Sequence, residues 1–135
     1  MIVVDTSVLS LAFRRKTKPG PELPLVGDFR RLVEEDQPVV IPGIVLQELL
    51  SGVRAEDDFL RLLDILDGFP IFTAATAHHI AAAKISNACR QSGISASAVD
   101  CLIAAMAVES KAKLLTADED FSHIARHCDL QLYRT

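Results

Sequence analysis

Met1-Ile2-Val3-Val4-Asp5-Thr6-Ser7 is the stretch whose reading decides the fold. Ile2, Val3 and Val4 form an unbroken apolar run without polar alternation, the pattern of a strand covered on both faces of a parallel sheet. Asp5 then puts a carboxylate where that strand leaves the core, and ligands of open parallel sheets bind outside the carboxyl ends of the strands. Thr6 and Ser7 add short hydroxyl side chains able to cap a following helix or to orient the carboxylate. Taken alone, Asp5 reads equally well as a helix N-cap. The same arrangement recurs downstream, which turns the reading towards function.

Length and composition set the bounds. A chain of 135 residues, 50% hydrophobic, predicts one globular domain over 1–135 with a core of its own. The apolar runs stop short of the roughly 20 residues that span a bilayer, and the start lacks the basic-then-apolar layout of a signal peptide, which predicts a cytoplasmic protein. Cys89, Cys101 and Cys128 are odd in number and have no paired spacing, so they indicate neither a disulfide framework nor a zinc ribbon. The net charge of −4 argues mildly against a nucleic-acid partner, but it is unevenly spread. Residues 1–31 carry Arg14, Arg15, Lys16, Lys18, Arg30 and Arg31 against Asp5, Glu22 and Asp28, a local +3, and the remainder carries −7. Such a basic start is either solvated surface or what a phosphate backbone needs beside an acidic metal site.

Apolar periodicity predicts a short helix over 8–13, a polar loop over 14–24, and helices over 25–35, 55–68, 74–91, 97–110 and 118–127. Pro42 suits the first turn of another helix reaching Gly52 or Arg54. Short apolar strands are predicted at 38–41, 69–72, 113–116 and 130–133. Strands alternating with helices predict a three-layer α/β fold with a mostly parallel central sheet.

On that fold the acidic residues fall into a pattern. Asp5 follows the first strand, Glu48 lies within two turns of the second, and Asp118 and Asp120 follow the Leu114-Leu115-Thr116 strand. Asp100 lies in the first turn of its helix, on a face shared with Ala104 and Ala107, where small side chains allow close approach to the sheet. Parallel strands would bring all of them to one edge. Clustered carboxylates raise one another's pKa values unless a cation relieves them, and ligation by oxygen alone suits Mg²⁺ or Mn²⁺. Singly, two of these acids read as helix starts, since Ser97-Ala98-Val99-Asp100 and Thr116-Ala117-Asp118-Glu119 both fit a capping box. Glu48 resists that reading because Val45, Leu46, Leu49 and Leu50 surround it in sequence. His123 and His127 have the spacing of a helical metal pair but no third ligand at a telling distance, and His78 and His79 read as helix surface.

Val4-Asp5-Thr6-Ser7-Val8-Leu9, Gln47-Glu48-Leu49 with Gly52, Ala98-Val99-Asp100-Cys101-Leu102-Ile103-Ala104-Ala105 and Leu115-Thr116-Ala117-Asp118-Glu119-Asp120-Phe121 resemble, in order and spacing, the motifs of PIN-domain ribonucleases. Overall size and the Arg90 to Gly93 lead-in are similar to the VapC-type toxins of toxin–antitoxin pairs. The resemblance implies a Rossmann-like PIN fold, a homodimer, Mg²⁺- or Mn²⁺-dependent RNA cleavage and inhibition by a small VapB-type antitoxin. Carried over by residue, it implies a catalytic and metal-binding set of Asp5, Glu48, Asp100 and Asp118, with Asp120 as the alternate fourth acid. Thr6, Ser7 and Thr116 then stand behind the ligands as orienting groups, and Arg14, Arg15, Lys16 and Lys18 are candidates for RNA contact. One departure is that Gly43-Ile44-Val45 stands where many relatives carry Ser or Thr before the glutamate.

Two other classes fit parts of the pattern. A PIN fold kept as a protein-binding module would retain the shape with acids that bind metal poorly. A phospho-acceptor receiver domain also clusters acids on a parallel sheet, but it needs a lysine just beyond a late strand, whereas Lys111 and Lys113 come before Leu114.

Overall fold

The computed structural model describes residues 1–14 and 22–134, the side chain of Arg14 excepted. Arg15, Lys16 and Lys18, three of the candidate RNA contacts, lie outside the described residues. Five strands, β1 (Ile2–Val4), β2 (Val39–Pro42), β3 (Ile71–Phe72), β4 (Lys113–Leu115) and β5 (Gln131–Leu132), form one sheet in the order β3-β2-β1-β4-β5. All neighbouring pairs are parallel, with Val3 opposite Val40 on one side and Leu114 on the other. The expected parallel α/β architecture is therefore what forms. Val3, Val4, Leu114 and Leu115 are fully buried, as strands without polar alternation require.

The helices are α1 (Thr6–Leu9), α2 (Pro24–Glu34), α3 (Gly43–Leu50), α4 (Glu56–Leu66), α5 (Thr76–Gln91), α6 (Ala98–Glu109) and α7 (Asp120–Ile124). α1 packs on α2 and α3, and α3 on α4; α6 packs on α5 and α7. The chain runs outward from β1 through β2 to β3, then returns past β1 to β4 and β5. Right-handed crossovers place connections running in opposite directions on opposite faces of the sheet, giving the two helical layers. The reversal leaves a crevice at the carboxyl ends of β1 and β4.

Several elements differ from the sequence expectation in ways that have a physical cause. α1 runs directly into a π-helical turn over Ser10–Arg14, whose Phe13 meets the edge of Phe29 at 5.8 Å; Phe29 in turn stacks on Phe69 at 5.7 Å. Pro42 ends β2 and stands at the N-cap of α3 instead of inside it. On α4, Leu62 and Leu66 are buried while Leu60 and Leu63 are exposed, so the apolar stripe is narrower than its leucines suggest. His78 is half-buried, with its ring edge-on to Phe72 and Nδ1 accepting the Ala75 N–H at 2.8 Å, so it closes the start of α5 instead of facing solvent.

Three helices stop in the same way. After α5, Gly93 adopts φ +78°, its N–H bonds to the Arg90 carbonyl, and the Ile94 N–H bonds to that of Cys89. This is a Schellman end, which needs a left-handed residue and favours glycine there. α2 and α6 repeat it with Asp36 (φ 54°) and Lys111 (φ 55°), which carry a Cβ at that position. Buried Asp28 on α2 pairs with Arg31 at 2.8 Å.

Candidate active site

Asp5 is the residue immediately after β1, and its N–H still bonds to the Leu115 carbonyl of β4 at 3.2 Å. The carboxylate is only 4% exposed. Burying a charge is costly unless hydrogen bonds offset it, and here they do. Ser7 Oγ donates to Asp5 Oδ1 at 2.6 Å, and Thr116 Oγ1 donates to Oδ2 at 2.8 Å. Burial nevertheless outweighs these bonds and holds the pKa above the ordinary value, with Asp118 contributing repulsion.

Asp118 is held by the loop between β4 and α7. Its N–H bonds to Thr116 Oγ1 at 3.0 Å, and its Oδ1 accepts the Asp120 N–H at 2.9 Å. α7 begins only at Asp120, so the capping-box reading of Thr116 to Glu119 does not hold: Thr116 is bonded to Asp5 and lies outside the helix. At α6 the cap reading is half right. Ser97 Oγ accepts the Asp100 N–H at 3.0 Å and caps the helix, while the Asp100 carboxylate feels the charge of the other acids. Ala104 and Ala107 on that helix are fully buried, as the close-approach argument requires.

Carboxylate oxygens of Asp100, Asp118 and Asp120 lie within 4.8 Å of one another, the one such acidic, His or Cys group of three or more among the described residues. His123 and His127 belong to no such group there. Half-buried Asp100 has its pKa pushed up to about 6, first by burial and then by Asp118, with smaller contributions from Asp5 and Asp120. Asp5, Asp100, Asp118 and Asp120 therefore feel one another's charge. Glu48 stands apart from the group: it is exposed, because α3 turns Val45 and Leu49 to the core, and it is tethered by Thr6 Oγ1 donating to Oε1 at 2.9 Å. Since Thr6 is the neighbour of Asp5, that bond keeps Glu48 at the rim of the same crevice. The sequence did not show that the Ala117 and Asp118 amides aim at the Ser7 and Thr116 hydroxyls.

A set of oxygen donors this close, crowded by like charge, suits a hard divalent cation and offers no nitrogen or sulfur for a softer one. A parallel sheet with such acids at its topological reversal is a ligand-binding arrangement of α/β folds. The chain belongs to the PIN-domain family, whose model matches residues 2–127. It is 32% identical over 133 residues to the ribonuclease VapC11 of Mycobacterium tuberculosis, spanning 97% of this chain and 96% of that one. Its fold is similar to that in the crystal structure of FitAcB from Neisseria gonorrhoeae, at 23% identity and TM-score 0.77, covering 99% and 97% of the two chains. It is equally similar to VapBC2 from Rickettsia felis bound to a promoter DNA fragment, at 22% identity and TM-score 0.78, covering 98% of each chain.

Proposed function

We propose that this protein is the endoribonuclease toxin of a toxin–antitoxin pair, hydrolysing RNA phosphodiester bonds with Mg²⁺ or Mn²⁺ at the acidic crevice. The observation that carries the reading is the convergence of Asp100, Asp118 and Asp120 beside Asp5 at the carboxyl edge of β1 and β4. Kinship with a ribonuclease over nearly the whole chain supports the substrate class, and kinship with VapBC supports an antitoxin partner.

Asp5 and Asp100 would hold the cation, and Asp118 would complete its shell, with Asp120 the alternate ligand. When bound, the cation lowers the pKa of a water and offsets charge developing on the phosphoryl oxygens. Glu48 at the rim orients the attacking water by accepting its hydrogen bond. Thr6 keeps Glu48 there, while Ser7 and Thr116 keep Asp5 aligned. The basic segment from Arg14 to Lys18 draws the RNA backbone towards the crevice, and the small antitoxin covers it until released. The protein works in the cytoplasm as a homodimer; no helix among the described residues is long and apolar enough to cross a membrane.

The test is cleavage of total cellular RNA by purified protein with Mg²⁺, with excess chelator, and as Asp5→Asn. Cleavage that disappears in the last two conditions supports the reading. Undiminished cleavage by Asp5→Asn, or indifference to chelator, refutes it.

A further inference from the structure

Ser7 and Thr116 each have one hydroxyl proton and two acceptor positions. In each the proton goes to Asp5 and an acceptor position takes a backbone N–H from the loop after β4: Ala117 N–H to Ser7 Oγ at 2.9 Å, Asp118 N–H to Thr116 Oγ1 at 3.0 Å. The two hydroxyls are 3.4 Å apart, but neither has a second proton to give the other. The amides thus force both hydroxyl protons towards the carboxylate. Two of the roughly four acceptor positions of Asp5 are thus filled, one on each oxygen, leaving the others open to a cation.

We infer that Ser7 is a positioning residue that spans the β1–β4 seam: by bonding Asp5 and Ala117 at once it fixes the loop carrying Asp118 relative to Asp5, and so sets the spacing on which divalent-cation affinity depends. Thr116 ties the same loop to Asp5 from the loop's own side; Ser7, from α1, adds the crossing bond that holds the Ala117 amide. The inference rests on the proposed metal site, and its test is arranged to separate the two.

The measurements are Mn²⁺ titration by calorimetry and amide hydrogen exchange on the metal-free protein, for wild type, Ser7→Ala, Ser7→Thr and Asp100→Asn. Ala117 is exposed and lies outside any helix or strand, so protection of its amide reports the bond to Ser7. In the wild type that amide should be protected. In Ser7→Ala it should exchange at least about tenfold faster, and Mn²⁺ should bind about 10- to 100-fold more weakly, the usual effect of losing a group that orients a ligand. Ser7→Thr keeps the hydroxyl and should restore both. Asp100→Asn should lose Mn²⁺ affinity while leaving the Ala117 amide protected. An unprotected Ala117 amide in the wild type overturns the inference without recourse to any variant. Mn²⁺ affinity in Ser7→Ala within twofold of wild type, with Asp100→Asn weakened, overturns the role of Ser7 alone. Unchanged affinity in Asp100→Asn removes the metal site and the inference with it.

Discussion

Replacing Asp100 by Asn should stabilise the metal-free protein at pH 8 and leave it almost unchanged near pH 4. The folded-state pKa of Asp100 is raised from 3.8 to about 6, so between those values the folded protein holds a proton that the unfolded chain has released. Stability from this group is present in full below the unfolded pKa and is lost as pH rises through the folded one. A shift of this size corresponds to about 3 kcal/mol at roughly 1.4 kcal/mol per unit. Asp100 is only half-buried, and solvent screening brings the usable figure to about 1–1.5 kcal/mol. Asparagine stays neutral and removes this loss, but it forfeits the favourable first-turn charge on α6, about 0.3–1 kcal/mol. The net gain at pH 8 is about 0–1.2 kcal/mol, a rise in melting temperature of up to roughly 4 °C for a domain of this size. Thermal melts from pH 4 to 8 in chelator and at constant ionic strength give both curves. Parallel curves, or a variant less stable than wild type at pH 8, would show that Asp100 acts as a helix-start charge and feels little of the other acids.

Added Mn²⁺ should raise the wild-type melting temperature, because a ligand bound only by the folded state stabilises it in proportion to the logarithm of its saturation; Asp118→Asn should lose more of that response than Asp120→Asn, and the opposite order would make Asp120 the fourth ligand. Neutralising Arg14, Arg15, Lys16 and Lys18 together should flatten the salt dependence of RNA binding by up to about three units of log–log slope, as fewer counterions are released, and an unchanged slope returns them to plain surface. Lys111→Gly should stabilise the protein by about 1 kcal/mol in urea unfolding, since it removes a Cβ from a left-handed helix end; no gain would mean that Lys111 is not held at positive φ in solution.

The parallel sheet was legible because Ile2 to Val4 and Leu114 to Leu115 have no polar face, and the edge of the site because its acids follow strands. What stayed hidden was settled by contacts that side-chain identity does not encode. Glu48 has apolar sequence neighbours, yet a helix sends residues 45 and 49 inward and residue 48 out. Thr116 to Glu119 matches a cap pattern, but Asp5 competes for the Thr116 hydroxyl and the helix starts later. Asp36 and Lys111 end helices at positive φ without the glycine that usually signals it. The role of Ala117 lies in its amide, which any residue but proline would supply.

Asp5 and Asp100 both carry pKa values raised by burial but differ in the hydroxyl donors that reach them, and this gives a final prediction. Asp5 is ringed by donors that suit only a carboxylate: Ser7 to one oxygen and Thr116 to the other. Asparagine at this position keeps one acceptor and turns the other into an NH₂ group, so the hydroxyl facing it no longer has the carboxylate oxygen that took its proton. One hydroxyl then loses its partner, or turns and releases the amide of Ala117 or Asp118. Losing a hydroxyl bond to this buried carboxylate costs about 1–3 kcal/mol, and against it stands the relief of a charge whose burial still holds the Asp5 pKa above the ordinary value. Asp5→Asn should therefore gain less stability than Asp100→Asn, or lose some, in the metal-free protein. Chemical denaturation of both variants in chelator at pH 8 measures the two effects side by side. If Asp5→Asn stabilises as much as Asp100→Asn, burial outweighs the hydroxyl bonds at Asp5, and the donors around it contribute less than their geometry implies.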